Sequence, residues 1–294
     1  MKIELKQLEN IRKLAIIAMV SDDDLFQRLV LKGGNAIDFI YHAAGRSSLD
    51  VDFSMEKDFK KNEIEIFGGK IRKSIEKTYL ENGYYPFDIK FTQRPKRKSE
   101  QQPNFWGGYL VEFKLLDKNE YESLKTNIEK QRREAIIIDK EGKRIFKIDI
   151  SKYEFCSKKE KKQLNDYTVY VYTPTMLIFE KLRALCQQMP EYKKIIHCAT
   201  SPRSKDFVDI YFLNQKYPIN IKAKENKNLL LNIFKIKDVP LNFLEKIKNH
   251  KEFYRRDYDS VKDTVKTGIK LKSFDFYFNE VLEIIETLKI FWIK

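Results

Sequence analysis

Cysteine and histidine are both scarce in this chain, three of each among 294 residues. Cys156, Cys186 and Cys198 show no paired spacing, and His42, His197 and His250 stand isolated, so neither a disulfide framework nor a Cys/His zinc site is written into the sequence. A reducing cytoplasm is the simplest setting for such thiols. Long apolar runs are missing too. No window reaches the length of a spanning helix, and charged residues are scattered through the first dozen positions, with no apolar core followed by a cleavage site. The expectation is a cytoplasmic protein with no membrane partner. Acidic residues are in deficit, 43 Asp and Glu against 57 Lys and Arg, for a formal net charge of +14. That balance favours anionic partners such as nucleotides or nucleic acid, although a lysine-rich proteome leaves the same excess on any surface.

What is present is enough apolar content, 42%, for one large or two modest cores, and two domains are expected. The most informative stretch is LKGGNAIDFIYHAAGRSSLDVDF, residues 31–53. It reads as strand, glycine turn, helix, strand. Successive side chains of a strand alternate faces, which puts Asp50 and Asp52 on one face and Leu49, Val51 and Phe53 on the other. Two carboxylates on one face can grip a divalent metal, or can simply be a solvated strand edge. Gly33 and Gly34 let the backbone approach a phosphate at a helix start, and Lys32 adds charge beside them. Ser48 shares the carboxylates' face if the strand begins early enough.

Around this stretch the periodicity predicts a helix over residues 3–20, a short second helix capped by Ser21 with Asp22, Asp23 and Asp24 in its first turn, and a helix within 58–80 ended by Asn82-Gly83. Strands are expected at 84–91, 105–116, 144–150 and 167–172, and a polar helix at 119–133. Arg94 to Pro103 is a basic, breaker-containing loop that reads as a hairpin tip, with a clamp on a phosphate backbone as the alternative. In the 144–150 strand Phe146, Ile148 and Ile150 face one way and Lys147 and Asp149 the other.

Thr173-Pro174 opens a helix to about Met189, with proline in its first turn. A further helix, from about Pro202 to Gln215, carries Lys205-Asp206-Phe-Val-Asp209. Asp206 and Asp209 lie three apart on one helical face that continues into Ile210 and Leu213. Carboxylates beside a buried stripe need a cation, and Lys181 and Arg183 on the preceding helix are the suppliers; the rival reading makes Asp206 an ordinary first-turn acid and Lys181 a surface lysine. Beyond Pro218 the chain reads as helical, and Phe274, Tyr277, Phe278, Val281, Ile285 and Leu288 form an i, i+3/i+4 stripe expected to be core rather than a base-stacking platform.

Taken in order, Gly33-Gly34, Ser48-x-Asp50-x-Asp52, Asp149, Lys181 within TPTMLIFEKLRAL, and Lys205-Asp206-x-x-Asp209 resemble the motifs of the nucleotidyltransferase superfamily, specifically the AbiEii/AbiGii-type toxins that include the MenT proteins. The family usually has a small hydroxyl residue where Asn35 follows the turn, and an arginine soon after the lysine helix, a place that Arg203 can fill. The resemblance implies an α/β fold with a nucleotidyltransferase-like mixed sheet and flanking helices over residues 1–172, and a helical domain over 173–294 that contributes the Lys and Lys-Asp-x-x-Asp motifs. It implies a Mg²⁺-dependent transfer of a nucleoside monophosphate from an NTP to an RNA acceptor such as the tRNA 3′ end, in a toxin-antitoxin or phage-defence system with a possible antitoxin partner. Catalytic roles fall on Asp50, Asp52, Lys181, Asp206 and Asp209; nucleotide binding on Lys32, Gly33, Gly34, Ser48 and Arg183; metal binding on Asp50, Asp52 and Asp149. The alternatives are transfer to a protein acceptor, a non-catalytic nucleic-acid or antitoxin-binding protein, and a metal-dependent nuclease.

Overall fold

A computed structural model describes residues 5–96, 103, 105–139, 141–196 and 200–292. His197, Cys198, Arg97, Lys98, the rest of the basic loop to Gln102 and the start of the first helix lie outside the described residues.

Among the described residues seven strands form one sheet in the order β3-β4-β5-β2-β1-β7-β6. They are β1 (Val30–Lys32), β2 (Val51–Ser54), β3 (Tyr84–Arg94), β4 (Gly108–Asp117), β5 (Phe146–Ser151), β6 (Glu160–Leu164) and β7 (Tyr167–Val171). The sheet is mixed as expected: β1 runs antiparallel to β2 and parallel to β7, while β2 runs parallel to β5. Register places Lys32 opposite Asp52, and Asp52 opposite Asp149, so three motif positions lie side by side across β1, β2 and β5. β1 is buried along its whole length, as suits a central strand.

Helices α1 (Leu5–Val20) and α3 (Ile64–Glu81) pack together beside the sheet, and α2 (Asp23–Arg28) leads into β1. The cap of α2 is Asp22 rather than Ser21, its carboxylate accepting from the amides of Asp24 and Leu25. Helix α4 (Pro174–Gln187) has its Thr173 cap and first-turn proline as the sequence indicates, and packs against α5 (Ser204–Lys216) and α6 (Lys224–Lys235). Helix α7 (Phe274–Leu288) buries all six residues of the aromatic stripe, and Phe274 and Phe278 meet Phe207 of α5. One large apolar cluster runs from α1 through the sheet to α7, and a small second one gathers Phe87, Leu116 and Ala135.

Two local expectations are corrected and one strand is added. The polar helix at 119–133 is two helices, Lys118–Leu124 and Ile128–Glu134, because Asn127 breaks the chain and its side chain caps the second by accepting from the Lys130 amide. Strand β6 was not legible: Glu-Lys-Lys-Gln-Leu has no alternation, only Leu164 is buried, and the strand exists because β7 pairs with it. Finally, β2 begins at Val51, so Ser48 and Asp50 sit in the bend that precedes it rather than on the strand.

Candidate active site

A cleft of about 680 Å³ opens where β1, β2 and β5 meet α4 and α5, and it brings together Lys32, Gly33, Gly34, Ser48, Asp50, Asp52, Asp149, Lys181, Arg183 and Asp206. Asp209 is not on its wall but lies directly behind Lys181.

The glycine pair is demanded by close approach. Gly33 has φ +71°, and a Cβ there would fall 2.1 Å from Oδ2 of Asp52; a Cβ on Gly34 would fall 2.5 Å from Cβ of Ser48 and 2.8 Å from its Oγ. The turn therefore lies directly on the carboxylate and the hydroxyl, and continues as a helical segment, Gly33–Asn35, into a π-helical turn, Ala36–Ile40. Asn35 is fully buried and explains itself: its amide donates to the Asp50 carbonyl at 2.7 Å, while Arg12 donates to the Ser48 carbonyl at 2.5 Å. Both fix the bend that carries Ser48 and Asp50.

Behind the turn sits a buried charge cluster. Lys181, 4% exposed, donates to Asp206 Oδ1 and Asp209 Oδ2, each at 2.8 Å. Arg46 donates to Asp209 at 2.6 Å and Arg203 pairs with Asp206. Burial by itself would lower the proton affinity of Lys181, but the two carboxylates outweigh it and hold its pKa above the ordinary lysine value. Burial likewise opposes ionisation of Asp206 and Asp209, yet Arg203 with Lys181, and Arg46 with Lys181, hold both below the usual carboxylate range. The two aspartates are thus fixed acceptors that orient the lysine, and poor proton acceptors. The surface-lysine alternative does not hold.

Arg183 does not join this cluster. It pairs with Glu154 at 2.8 Å and Glu180 at 3.4 Å, and Lys32 lies 3.7 Å and 3.4 Å from the same two carboxylates. Lys237, on the far side of the chain in sequence, donates to the carbonyls of Phe105 and Lys152 and lies 3.4 Å from Glu154. Lys32 and Arg183 are therefore already compensated within the protein.

The opposite holds for Asp52 and Asp149. Burial, then the neighbouring carboxylate charges of Asp149 and Asp50, push Asp52 up to about 6 against the pull of Lys32. Asp149 is raised by burial and by Asp50. Carboxylates that repel one another on a cleft wall invite a cation, and an all-oxygen set suits Mg²⁺. Among the described residues no three Asp, Glu, His or Cys side chains are grouped so that they could hold a metal ion by themselves. An open row fits Mg²⁺ nonetheless, since that ion is commonly held by one or two carboxylates together with substrate phosphates and water.

Sequence reasoning missed Arg12, Arg46, Glu154, Glu180 and Lys237. Arg46 was the findable one, two residues before Ser48; a backbone bridge to Val265 and the pairing of Lys266 with Asp38 tie its loop to the C-terminal part of the chain. Nothing local in the sequence marks Lys237.

A family model described as the nucleotidyl transferase AbiEii toxin of type IV toxin-antitoxin systems matches residues 15–280. No curated protein matches significantly in sequence. Among solved structures the chain resembles JHP933 from Helicobacter pylori, at 18% identity and a TM-score of 0.51, over 97% of this chain and 94% of that one. It also resembles MenT4, a nucleotidyltransferase toxin from Mycobacterium tuberculosis, at 12% identity and a TM-score of 0.50, over 96% of this chain and 83% of that one. At such identities the structural likeness speaks for the fold, a nucleotidyltransferase-like mixed sheet with flanking helices. The family match covers most of the chain, and with it the chain belongs to the AbiEii family of nucleotidyltransferase toxins of type IV toxin-antitoxin systems.

Proposed function

We propose that this nucleotidyltransferase moves a nucleoside monophosphate from an NTP to an RNA 3′ hydroxyl, such as that of tRNA, with Mg²⁺ as its cofactor and an antitoxin as its partner. The carrying observation is the juxtaposition of a carboxylate row, Asp50, Asp52 and Asp149, with a glycine turn and a buried lysine clamp in one cleft. Residues 1–172 supply the turn and carboxylates, residues 173–294 supply Lys181 and its aspartates, and the substrate binds between them.

The triphosphate lies against the amides of the Gly33-Gly34 turn and the Ser48 hydroxyl. Lys181, held at a fixed point by Asp206 and Asp209, offsets charge that develops on the departing phosphates, where preorganised charge is most effective. Asp52 with Asp50 or Asp149, together with the substrate phosphates, would hold Mg²⁺, which when bound neutralises the triphosphate and lowers the pKa of an attacking hydroxyl. The acceptor oxygen forms its bond to the α-phosphorus as the bond to the α,β-bridging oxygen breaks; pyrophosphate leaves, and the hydroxyl proton passes by way of the cleft carboxylates to water. Lys32 and Arg183, held in place by Glu154 and Glu180, line the same cleft and add to the positive field around the triphosphate.

The charge of +14 supports a polyanionic acceptor, and cytoplasm is where NTPs and tRNA meet. Incubation with Mg²⁺, total tRNA and each α-labelled NTP should place label in tRNA, and Asp50→Asn should abolish it. Label confined to protein would transfer the reading to a protein acceptor, and RNA cleavage without NTP use would make the site a nuclease.

A further inference from the structure

In-line displacement requires the acceptor hydroxyl and the leaving pyrophosphate on opposite sides of the α-phosphorus. The glycine turn, Ser48 and Lys181 lie on the β1 side of Asp52. Moving the other way across the sheet, Asp52 is followed by Asp149 on β5, and Asp149 by Leu110 on β4. Adjacent strands lie about 4.8 Å apart, so β4 is about 10 Å from Asp52, the span of one nucleoside. The wall of the cleft at that end is Trp106, Gly107 and Gly108 with Arg94.

This end is built rather than incidental. Trp106 is half-buried, and its backbone is held on three sides: its amide donates to the Pro103 carbonyl, the Phe105 carbonyl accepts from Lys237, and the Gly107 carbonyl accepts from the Lys152 amide. Gly107, at φ +106°, and Gly108 have no room for a Cβ, which would fall 2.3 Å from the Arg94 carbonyl and 2.0 Å from the Ile150 carbonyl. The main chain is thus pressed flat against β3 and β5, and the indole stands at the cleft wall beside it. Arg94 is exposed, and its charge reaches Asp149. An aromatic face beside a cation is the combination that holds single-stranded nucleic acid without reading its sequence.

We propose that Trp106, with Arg94, forms the acceptor subsite, stacking the terminal base of a single-stranded RNA 3′ end so that its hydroxyl faces Asp149. The subsite rests on the RNA-acceptor reading above. It gives Trp106 a role in acceptor binding and none in NTP binding.

The chain has two tryptophans, and Trp292 is not on the cleft wall but donates to Glu245, so any change in indole emission that Trp106→Leu removes reports on Trp106. Titrating the full chain with a short single-stranded RNA bearing a free 3′ hydroxyl should quench emission, while an NTP alone should leave it nearly unchanged. Trp106→Leu should lose the quench and raise the acceptor KM roughly tenfold, with the NTP KM moved less than about twofold, and Trp106→Phe should restore most of the affinity. A circular dichroism melt of each variant separates a folding defect from lost stacking. If the wild type labels RNA but Trp106→Leu keeps its acceptor KM, or loses NTP and acceptor affinity alike, the stacking subsite is wrong while the RNA reading stands. If the wild type labels no RNA and the oligonucleotide causes no quench, both fall together.

Discussion

At the scale of single residues the site divides into charges that are compensated and charges that are not. Lys181 is compensated twice over, by Asp206 and Asp209. Its removal leaves two buried carboxylates faced mainly by Arg203 and Arg46, and Lys181→Ala should cost about 3 kcal/mol of stability as well as activity. Asp209→Asn in the same chain should recover part of that loss; denaturant midpoints for the two single variants and the pair measure the coupling, and strict additivity would mean the contact contributes nothing in solution. Asp50 is exposed and Asp52 already resists ionisation, so Asp50→Asn and Asp52→Asn should melt within a few degrees of wild type while Mg²⁺-dependent NTP binding weakens. Calorimetric titration of the metal and nucleotide decides this. Unchanged affinities in both variants would leave the pair as polar side chains on the cleft wall with no part in metal binding.

The glycine turn belongs to the scale of elements, because its requirement is set by what β2 and the preceding bend place against it. Gly34→Ala would push a methyl group into Ser48, whose Cβ cannot swing away, and should destabilise the protein by about 1 to 3 kcal/mol. Ser48→Gly removes the obstructing atoms. The double variant Gly34→Ala/Ser48→Gly should therefore regain most of the stability of the single Ser48→Gly variant, by thermal melting, without regaining NTP affinity. Failure to recover would show that the helical turn itself, rather than its contact with Ser48, rejects the side chain. The sequence reading justified both glycines by room for a phosphate; the contacts show that room for Asp52 and Ser48 is the more immediate need, and that need depends on a neighbouring strand.

For the molecule as a whole, Lys237 is the clearest case of distant parts acting together. It follows α6, yet its ammonium reaches the carbonyls of Phe105 and Lys152 beneath the cleft. Burial, only partly offset by Glu154, lowers its pKa from 10.5 to about 8. Between those two values the unfolded chain binds more protons than the folded one, so this group's contribution makes stability rise as pH increases from about 8 towards 10.5; below 8 the cost of burying the charge is present in full. The unfolding free energy of wild type minus that of Lys237→Met should accordingly increase over that interval, by an amount on the order of a few kcal/mol. A flat difference, measured by urea unfolding at several pH values, would place the lysine in water.

Spacing within the sequence determined whatever depends on neighbours in the chain: the glycine turn before Asp50-x-Asp52, the alternation that sets Asp149 opposite Ile148 and Ile150, the capped start of α4, and the face shared by Asp206 and Asp209. These are legible because strand and helix periods are fixed by backbone geometry. Partner choice was not. Arg183 and Lys181 are two residues apart on α4 and so point to different faces, and only the packing of that helix sent one to Glu154 and the other to Asp206 and Asp209. Likewise no local pattern links Lys237 to Phe105 or Arg46 to Asp209, since such contacts arise when chain segments far apart in sequence bury their charges together, and burial leaves each ion to find whichever counter-ion the tertiary structure has placed within reach.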